Sequence, residues 1–364
     1  MEPIAVYVHV PFCPSKCGYC DFNSYAMSGE IIARTVDAIE REIRATPFAG
    51  APAKTIFFGG GTPTFLDPPD LLRLLHAVLE VHPPVPGCEI TSEANPGTVD
   101  ATKFAAMRSG GFNRVSLGAQ SFLDSDLLRL ERVHKADEIG RAVAAARTAG
   151  FDNLNLDLMF ALPGQSRRGW SDNLGRALEL APDHLSLYCL TIEPNTKFYG
   201  RHLKGQLVLP DEDAQVEMYD EALRRTAEAG FEQYEISNFC RPGRECRHNL
   251  EYWYANPYAA YGPGAVSATA QERTTNLKSP RLYCEAVERG ERPLMEREPL
   301  DADTLRLERI MLGIRLNEGL PLTGLAEDDL KRVMRRGWIS VADDRATLTP
   351  EGRHFCSEVA LELA

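Results

Sequence analysis

Hydrophobic and polar positions alternate along several short segments in the first half of the chain. Up to about residue 190, apolar runs of strand length are separated by segments of helical length. The predicted strands are Ile4–Val10, Thr55–Phe58, Glu89–Glu93, Arg114–Gly118, Asn153–Phe160 and His184–Leu190. The predicted helices between them are Glu30–Ala45, Pro69–Glu80, Lys135–Ala149 and Arg167–Leu180. This order is typical of right-handed βα units around a parallel sheet, with six units where a full barrel has eight.

The alternation within the strands predicts a polar interior. In the fifth strand the leucines share one face, while Asn153, Asn155 and Asp157 share the other. Buried parallel strands are usually apolar on both faces. Helices would cover the outside of this sheet, so we expect the polar sets to face inward, where they indicate a small charged ligand. An antiparallel sheet with one solvated face would show the same alternation, but the intervening helices count against it.

Beyond residue 200 the pattern is less regular. We predict a helix over Asp211–Ala229, a strand over Phe231–Phe239 and an ordered loop over Tyr252–Gly264. Two helices and a short hairpin follow residue 300, an order typical of a winged helix. The prediction is an α/β fold in three parts: a partial (β/α)6 barrel over 1–235, a connecting region over 236–299, and a small α+β, winged-helix-like domain over 300–364.

Composition narrows the class of protein. The chain has 364 residues, of which 44% are hydrophobic, so it can bury a large core without disulfides. A net charge of −12 argues against broad binding to nucleic acid or anionic lipid. The first strand begins within a few residues of the N-terminus, and no apolar stretch is long enough to cross a bilayer. We therefore expect a cytoplasmic protein with reduced cysteines.

Three of the nine cysteines follow the first strand, with the spacing Cys13-x3-Cys17-x2-Cys20. Thiolates at this density are the ligands that iron–sulfur clusters use. A [4Fe–4S] cube has four irons, so three cysteines leave one iron open to a small chelating molecule. A zinc knuckle or buried free thiols are the alternatives. Zinc usually takes four ligands in a closed site, and no fourth Cys or His lies nearby downstream.

Two motifs carry a resemblance to a known family. The segment VHVPFCPSKCGYCDF resembles the radical S-adenosylmethionine (SAM) superfamily, in which SAM chelates the fourth iron of the cluster. The segment GGGTPT, directly after the second strand, resembles the oxygen-independent coproporphyrinogen III oxidase-like (HemN/HemW) family. The resemblance covers about residues 4–260. It implies that the predicted barrel is a partial radical SAM barrel that binds a [4Fe–4S] cluster and SAM.

The resemblance also assigns roles to particular residues. It implies that Cys13, Cys17 and Cys20 bind the cluster and that further side chains and glycines contact SAM. The implied SAM-contacting positions are Tyr7, Tyr19, Gly60, Gly61, Thr62, Glu93, Gln120, Arg132 and Asp157. Tyr7, Glu93, Gln120 and Asp157 also belong to the polar strand faces. A structural hydrogen bond is the alternative role for any one of them.

Three departures separate the chain from the oxidase subgroup. Phe22 stands where the oxidase has a fourth cysteine, only twelve residues precede Cys13, and His248–Trp253 form an HNxxYW motif that marks the heme chaperones. The resemblance therefore implies a heme chaperone that binds heme and transfers it to hemoproteins of respiratory chains. It makes His248 a candidate heme ligand, with the nearby thiols Cys246 and Cys240 and a purely structural histidine as alternatives.

Two other functions stay open. The first is a radical SAM enzyme that decarboxylates coproporphyrinogen III; the second is a winged-helix iron–sulfur regulator, which the acidic charge disfavours. The radical SAM machinery is expected, but coproporphyrinogen oxidase activity is not. The implied partners are heme, acceptor hemoproteins and an electron donor for the cluster. No nucleic-acid partner and no transmembrane segment are expected, while peripheral membrane contact and a homodimer are compatible with the resemblance.

Overall fold

A computed structural model describes residues 2–364. Six parallel strands pair in chain order and form the centre of the molecule. They are β1 (Ile4–Val10), β2 (Ala53–Gly60), β3 (Pro84–Ala94), β4 (Arg114–Gln120), β5 (Leu154–Phe160) and β6 (His184–Cys189). The helices between them are α1 (Glu30–Arg44), α2 (Pro68–Val81), α3 (Ala101–Ser109), α4 (Asp124–Arg129), α5 (Ala136–Thr148) and α6 (Arg167–Glu179). The predicted α/β fold with six βα units is confirmed.

The two faces of the central strands differ as the alternation predicts. Leu154, Leu156 and Leu158 of β5 are fully buried in the core that the helices cover. On the other face, the side-chain amide of Asn155 donates to Ser116 Oγ at 2.6 Å, and Ser116 donates to the Asp157 carboxylate at 3.1 Å. The polar side chains of neighbouring strands thus bond to one another across the inside of the sheet.

Strands from the second half of the chain extend the same sheet at both ends. The remaining elements up to residue 299 are α7 (Lys197–His202), α8 (Glu212–Glu228), β7 (Glu232–Glu235), β8 (Asn238–Cys240), α9 (Arg247–Trp253), β9 (Tyr258–Tyr261), β10 (Val266–Ala268), β11 (Glu272–Asn276), α10 (Pro280–Glu288) and β12 (Leu294–Pro299). β9 pairs parallel with β1, and β10, β11 and β12 continue from it antiparallel. At the other end β8 pairs antiparallel with β6, and β7 with β8.

Two of the predicted elements are wrong. The predicted loop over Tyr252–Gly264 contains the end of α9 and all of β9, a four-residue strand whose two alanines carry little strand propensity. The single strand predicted over Phe231–Phe239 is the β7–β8 hairpin. No glycine or proline marks its turn; instead the carboxylate of Glu235 accepts the backbone N–H of Ser237 at 3.1 Å.

The C-terminal segment has a core of its own. It contains α11 (Ala302–Gly313), β13 (Leu320–Pro321), α12 (Glu327–Arg335), β14 (Ile339–Ala342), β15 (Arg345–Leu348) and α13 (Cys356–Leu363). The strands form a separate sheet, and Ile314, Val333 and Leu363 are fully buried in a separate apolar cluster. This is the winged-helix-like arrangement of the prediction. The exact division at 235/236 and 299/300 stays a prediction, and β7 and β8 pair across the first of these boundaries.

Three of the four basic side chains at or next to the end of α12 are paired with acidic ones. Arg332 and Arg336 both bind the carboxylate of Glu362, and Lys331 binds that of Glu327. These pairs reduce the positive charge that a DNA-binding helix would present, which favours a solvated helix face. Across the described residues, no helix has both the length and the hydropathy that spanning a membrane requires.

Candidate functional site

A cavity of about 400 Å³ opens at the carboxyl ends of the parallel strands. This is the end of an α/β barrel at which ligand sites are built, because the loops that follow the strands converge there. Eleven of the thirteen residues predicted as site residues line it. They are Cys13, Cys17, Tyr19, Cys20, Gly60, Gly61, Thr62, Glu93, Gln120, Arg132 and Asp157. Tyr7 and His248 do not line it.

The three cysteines lie in the loop after β1, and all are free thiols. A polar group contacts each sulfur: Thr62 Oγ1 is 3.4 Å from Cys13, Arg132 donates to Cys17 at 3.6 Å, and Ser24 Oγ is 3.8 Å from Cys20. Burial raises the pKa of the Cys13 and Cys20 thiols, which these contacts partly offset. Hydrogen bonds to sulfur stabilise ligating thiolates and tune cluster potentials, so this donor set fits an iron–sulfur cluster.

The three thiols do not form a site for a single ion. Within residues 2–364, no group of three or more His, Cys, Asp or Glu side chains converges on one point as a single metal ion requires. The protein ligands of a [4Fe–4S] cube each bind a different iron and therefore stand apart. Thiols that do not converge on one point are therefore compatible with the cluster.

The glycine loop after β2 packs directly on the cysteine loop. A side chain at Gly60, whose φ is +110°, would place its Cβ 2.5 Å from the ring of His9, and one at Gly61 would meet the backbone of Phe12 at 2.6 Å. The absence of side chains lets the backbone of this loop form a wall of the cavity. The N–H of Gly60 donates to the Glu93 carboxyl at 3.2 Å.

Two carboxyl groups face each other in the cavity. Burial, and in second place the negative charge of Asp157, raises the pKa of Glu93 to about 8. Burial also raises the pKa of Asp157, while bonds from Asn155 and Ser116 act in the opposite direction. A half-buried pair of acids without a cation between them is costly. Such a pair suits a ligand that brings a positive charge or several hydroxyl donors.

Arg132 brings a positive charge to the opposite side of the cavity. It donates to Cys17 Sγ and, at 2.9 Å, to the backbone carbonyl of Gly118. Its buried Nε has no hydrogen-bond partner within residues 2–364 and so remains a donor for a ligand. Tyr19 lies beside it, with its ring packed edge-on against Phe198. An arginine with a spare donor and an aromatic ring suit a carboxylate and a flat base, respectively.

Tyr7 lies beneath the glycine loop rather than in the cavity. Its hydroxyl is 3.1 Å from His9 Nδ1, its ring stacks near Phe57, and a Cβ at Gly59 would meet that ring at 3.0 Å. Tyr7 therefore supports the strand ends that carry the cavity. Its predicted contact with SAM stays a prediction.

His248 lies at the opposite end of the barrel. α9 closes the amino-terminal ends of the strands, and the buried carboxylate of Glu89 accepts the backbone N–H groups of Arg247 and His248. Both nitrogens of the His248 ring have partners: Nδ1 is 2.8 Å from Thr55 Oγ1, and Nε2 is 3.0 Å from the Tyr252 hydroxyl. Burial lowers the pKa of His248 to about 3.

The structure thus places His248 next to Tyr7, with ring centroids 6.4 Å apart, but away from the cavity that the other eleven predicted site residues line. The alternative ligands Cys240 and Cys246 are also buried, each with 1% exposure. Heme ligation by any of the three stays a prediction, and in this conformation neither ring nitrogen of His248 is free. The motif residue Trp253 packs instead on Arg315 of the C-terminal segment, whose guanidinium carbon lies 5.1 Å from the centroid of the Trp253 ring.

The sequence analysis did not identify several other residues of the cavity wall. Tyr188 and Cys189 line the cavity at the end of β6, and Lys16, Val133, Met159 and Glu193 complete the same wall. For Tyr188 and Cys189 a signal was available, because both stand at the carboxyl end of a predicted strand. Met159 carries the same signal, because it lies near the carboxyl end of the predicted fifth strand, on the face of Asn155 and Asp157. Lys16, Val133 and Glu193 lie in loops that carry no such mark.

Comparisons with known proteins agree with this geometry. Residues 7–174 match the family described as the radical SAM superfamily. The chain is 38% identical to heme chaperone HemW of Mycobacterium tuberculosis, and the match covers all of this chain and 95% of that protein. It is 37% identical to heme chaperone HemW of Escherichia coli, and that match covers all of this chain and 98% of the relative. The solved structure of coproporphyrinogen III oxidase (HemN) from Escherichia coli, a radical SAM enzyme, superimposes with a TM-score of 0.86 at 24% identity, over 99% of this chain and 90% of that one.

Proposed function

The chain belongs to the HemW family of radical SAM proteins, and from that premise we propose that it is a heme chaperone. In this proposal it binds heme and transfers it to acceptor hemoproteins, while the cavity at the carboxyl ends of the strands holds a [4Fe–4S] cluster and SAM. The observation that carries the proposal is similarity over the full length of the chain to relatives named as heme chaperones. The three free thiols in the cavity supply the chemical support.

In this proposal, different residues of the cavity bind the cluster and SAM. Cys13, Cys17 and Cys20 would each bind one iron, with Thr62 and Arg132 donating to two of the sulfurs. A cluster bound there would supply one-electron transfer to a bound SAM. The backbone of the glycine loop, the spare donor of Arg132, and the acids Glu93 and Asp157 would orient the SAM. An electron donor protein is then a further partner.

Heme binding is expected to be separable from the cluster, because the family motif and the cysteine loop lie at opposite ends of the barrel. A heme titration should give the same Soret shift for the wild type and for the Cys13/Cys17/Cys20→Ser triple variant. His248→Ala should weaken or alter the spectrum, whereas the exposed His76→Ala should leave it unchanged. Failure of the wild type to bind heme would remove the basis of the proposal.

The hydrogen bonds of His248 allow a sharper test of the ligand. Ligation through Nε2 requires that its bond with the Tyr252 hydroxyl break. Tyr252→Phe removes that competing bond, so this variant should bind heme as tightly as the wild type or more tightly. Equal loss of binding in Tyr252→Phe and His248→Ala would indicate that both residues only hold α9 in place. An unaltered spectrum in His248→Ala would direct the search to Cys246.

Coproporphyrinogen decarboxylation is not expected. Phe22 takes the place of the fourth cysteine of the oxidase, and its side chain is 63% exposed at the rim of the cavity. Anaerobically reconstituted protein with SAM and a reductant should leave coproporphyrinogen III unchanged, as measured by porphyrin chromatography after oxidation. Robust formation of protoporphyrinogen would make the protein a radical SAM oxidase and overturn the assignment.

A further inference from the structure

The end of the cluster loop is fastened to a turn that is distant in sequence. Asn23, three residues after the last cysteine, donates through its side-chain amide to the carbonyls of Pro263 at 2.8 Å and Lys278 at 3.1 Å. Pro263 lies in the turn between β9 and β10. The Tyr25 hydroxyl donates to both Asn23 Oδ1 and Lys278 O, at 3.0 and 3.2 Å. The backbone of Tyr25 in turn accepts the N–H of Cys13 at 3.0 Å.

The fit between the turn and the loop leaves no room for side chains. Gly262 and Gly264 have φ values of +106° and +77°. A Cβ at Gly262 would lie 2.3 Å from the backbone oxygen of His9, and one at Gly264 would lie 2.4 Å from the amide nitrogen of Asn23. The turn is therefore in direct contact with both the end of β1 and the cluster loop, and a shift of the turn must shift Asn23.

A carboxylate outside the cluster cavity holds this turn from its other side. Glu42 of α1 accepts the N–H of Gly262 at 2.8 Å, the side-chain amide of Asn276 at 2.6 Å and the hydroxyl of Tyr283 at 2.5 Å. The Asn276 amide also donates to the carbonyl of Gly262 at 3.0 Å. One carboxylate thus joins α1, the turn, β11 and α10, and it lines a separate cavity of about 360 Å³ rather than the cluster site.

We propose that Glu42 is a positioning residue for the cluster loop: it fixes the Gly262–Gly264 turn, and the turn, through Asn23, fixes the loop that carries Cys13, Cys17 and Cys20. The inference deepens the proposed function, since it assumes that this loop binds the cluster. The contacts of Glu42 reach the loop by two routes. The bond from Gly262 acts through the turn and Asn23, and the bond from Asn276 acts through Lys278, two residues further on, whose carbonyl accepts from Asn23 and Tyr25.

The test measures hydrogen–deuterium exchange in the full chain without cluster or heme. Glu42→Gln replaces one of the two accepting oxygens with an NH2 donor, so at least one of the three donors loses its acceptor. The backbone amides of residues 13–25 and 262–264 should then exchange roughly tenfold faster, as expected for the loss of one to two hydrogen bonds. Asn23→Ala should accelerate exchange in 13–25 but leave 262–264 close to wild type. Glu40→Gln, on the same helix and paired with the surface arginines Arg44 and Arg73, should change neither segment.

A triple variant identifies the series. Asn23→Ala and Tyr25→Phe together remove the side-chain bonds from the loop to Pro263 and Lys278, so adding Glu42→Gln to this pair should accelerate exchange in 13–25 no further. Additional acceleration in the triple variant, or acceleration confined to 262–283 in Glu42→Gln, would overturn the proposal and leave Glu42 a purely structural residue. Where Glu42→Gln does not fold, Tyr283→Phe removes a single donor and should show the same pattern more weakly.

The cluster provides a second readout. After reconstitution, Glu42→Gln should lose iron to a chelator roughly tenfold faster than the wild type, in proportion to the faster opening of its loop, and Glu40→Gln should not. Equal iron loss in both would also overturn the proposal. Failure of the wild type to bind heme would contradict the proposed function alone, because neither exchange nor iron loss depends on heme.

Discussion

At the scale of single residues, the cavity holds polar side chains that lower the stability of the fold when no ligand is bound. Glu93 and Asp157 are half-buried acids, and the charge of Asp157 acts on Glu93, while the Nε of Arg132 lacks a partner within residues 2–364. Side chains without such partners reduce stability, and they are typical of binding sites, where the ligand supplies the missing partner. Two predictions follow from these side chains and from the thiols.

Removing the charge of Glu93 should change how stability depends on pH. Its pKa rises from 4.5 in the unfolded chain to about 8 in the fold, so the folded state resists ionisation. Stability from this group is full below about pH 4.5 and is lost as the pH rises towards 8, by at most about 1.4 kcal/mol per pH unit. Glu93→Gln should flatten that slope and raise the melting temperature at pH 8.

Thermal unfolding between pH 5 and pH 8.5, without cofactors, measures this effect. The surface variant Glu80→Gln should keep the wild-type slope. The same Glu93→Gln protein should bind SAM less tightly if the carboxylate contacts the ligand. A slope identical to that of the wild type would mean that Glu93 ionises as easily in the folded protein as in the unfolded chain.

Each of the three cavity thiols should be required for the cluster. Cys13→Ser, Cys17→Ser and Cys20→Ser should each abolish the EPR signal of the reduced, reconstituted cluster, and the wild-type signal should change when SAM is added. Cys88→Ser is the matched control, because Cys88 is a buried thiol of β3 outside the cavity. A signal that ignores SAM, or zinc in place of iron, would contradict the assignment.

At the scale of elements, α9 depends on one acid for its place in the fold. Glu89 of β3 is only 3% exposed, and it accepts the first two backbone N–H groups of this seven-residue helix at 3.2 and 3.1 Å. The fully buried Arg114 lies in its field. A short helix without tertiary support is marginal, so its position over the barrel rests on this anchor and on the packing of His248.

Glu89→Ala should therefore release α9. The change leaves two helix N–H groups without their acceptor, which costs roughly 1–3 kcal/mol for each buried group left unsatisfied. We expect a lower midpoint in urea and faster proteolysis within residues 241–256. Glu245→Ala, one residue before Cys246 and outside the buried anchor, should affect neither. Unchanged proteolysis in Glu89→Ala would show that packing alone holds the helix.

At the scale of the whole molecule, the C-terminal segment covers one edge of the large sheet. The N–H of Asn317 donates to the carbonyl of Tyr234 in β7 at 2.9 Å, Glu235 bridges to Leu316, and Arg315 stacks on Trp253. The cavity with the three thiols lies elsewhere, and no residue after 193 lines it. The segment therefore supports the sheet edge and α9 without contacting the cluster site.

Deleting residues 300–364 should separate these roles. The loss exposes the β7 edge and the apolar side chain of Ile236, which packs on the C-terminal core. We expect a lower melting temperature and a greater tendency to aggregate, while the soluble fraction still takes up iron and sulfide at the wild-type ratio. A truncated protein that folds well but cannot hold a cluster would show that the segment contributes to the site.

The sequence by itself determined the central barrel and most of the cavity. Period-two alternation in β5 indicated which side chains face inward, and the CxxxCxxC and GGGT motifs are local. The family resemblance that these motifs carry implied the site residues, eleven of the thirteen of which line one cavity. Such features depend on residues a few positions apart, and the carboxyl ends of parallel strands meet at one edge whatever the rest of the chain does.

Only the tertiary structure decided where His248, β9 and Glu42 lie. The motif around His248 suggests a ligand, but the partners that occupy its ring come from β2 and from the next turn of α9. β9 is a weak strand that forms because β1, some 250 residues earlier, offers an edge to pair with. Glu42 is one of several acids on an amphipathic helix, and its three donors converge from segments 220 to 241 residues away. No local pattern encodes such contacts, since they exist only once the sheet has brought distant segments together.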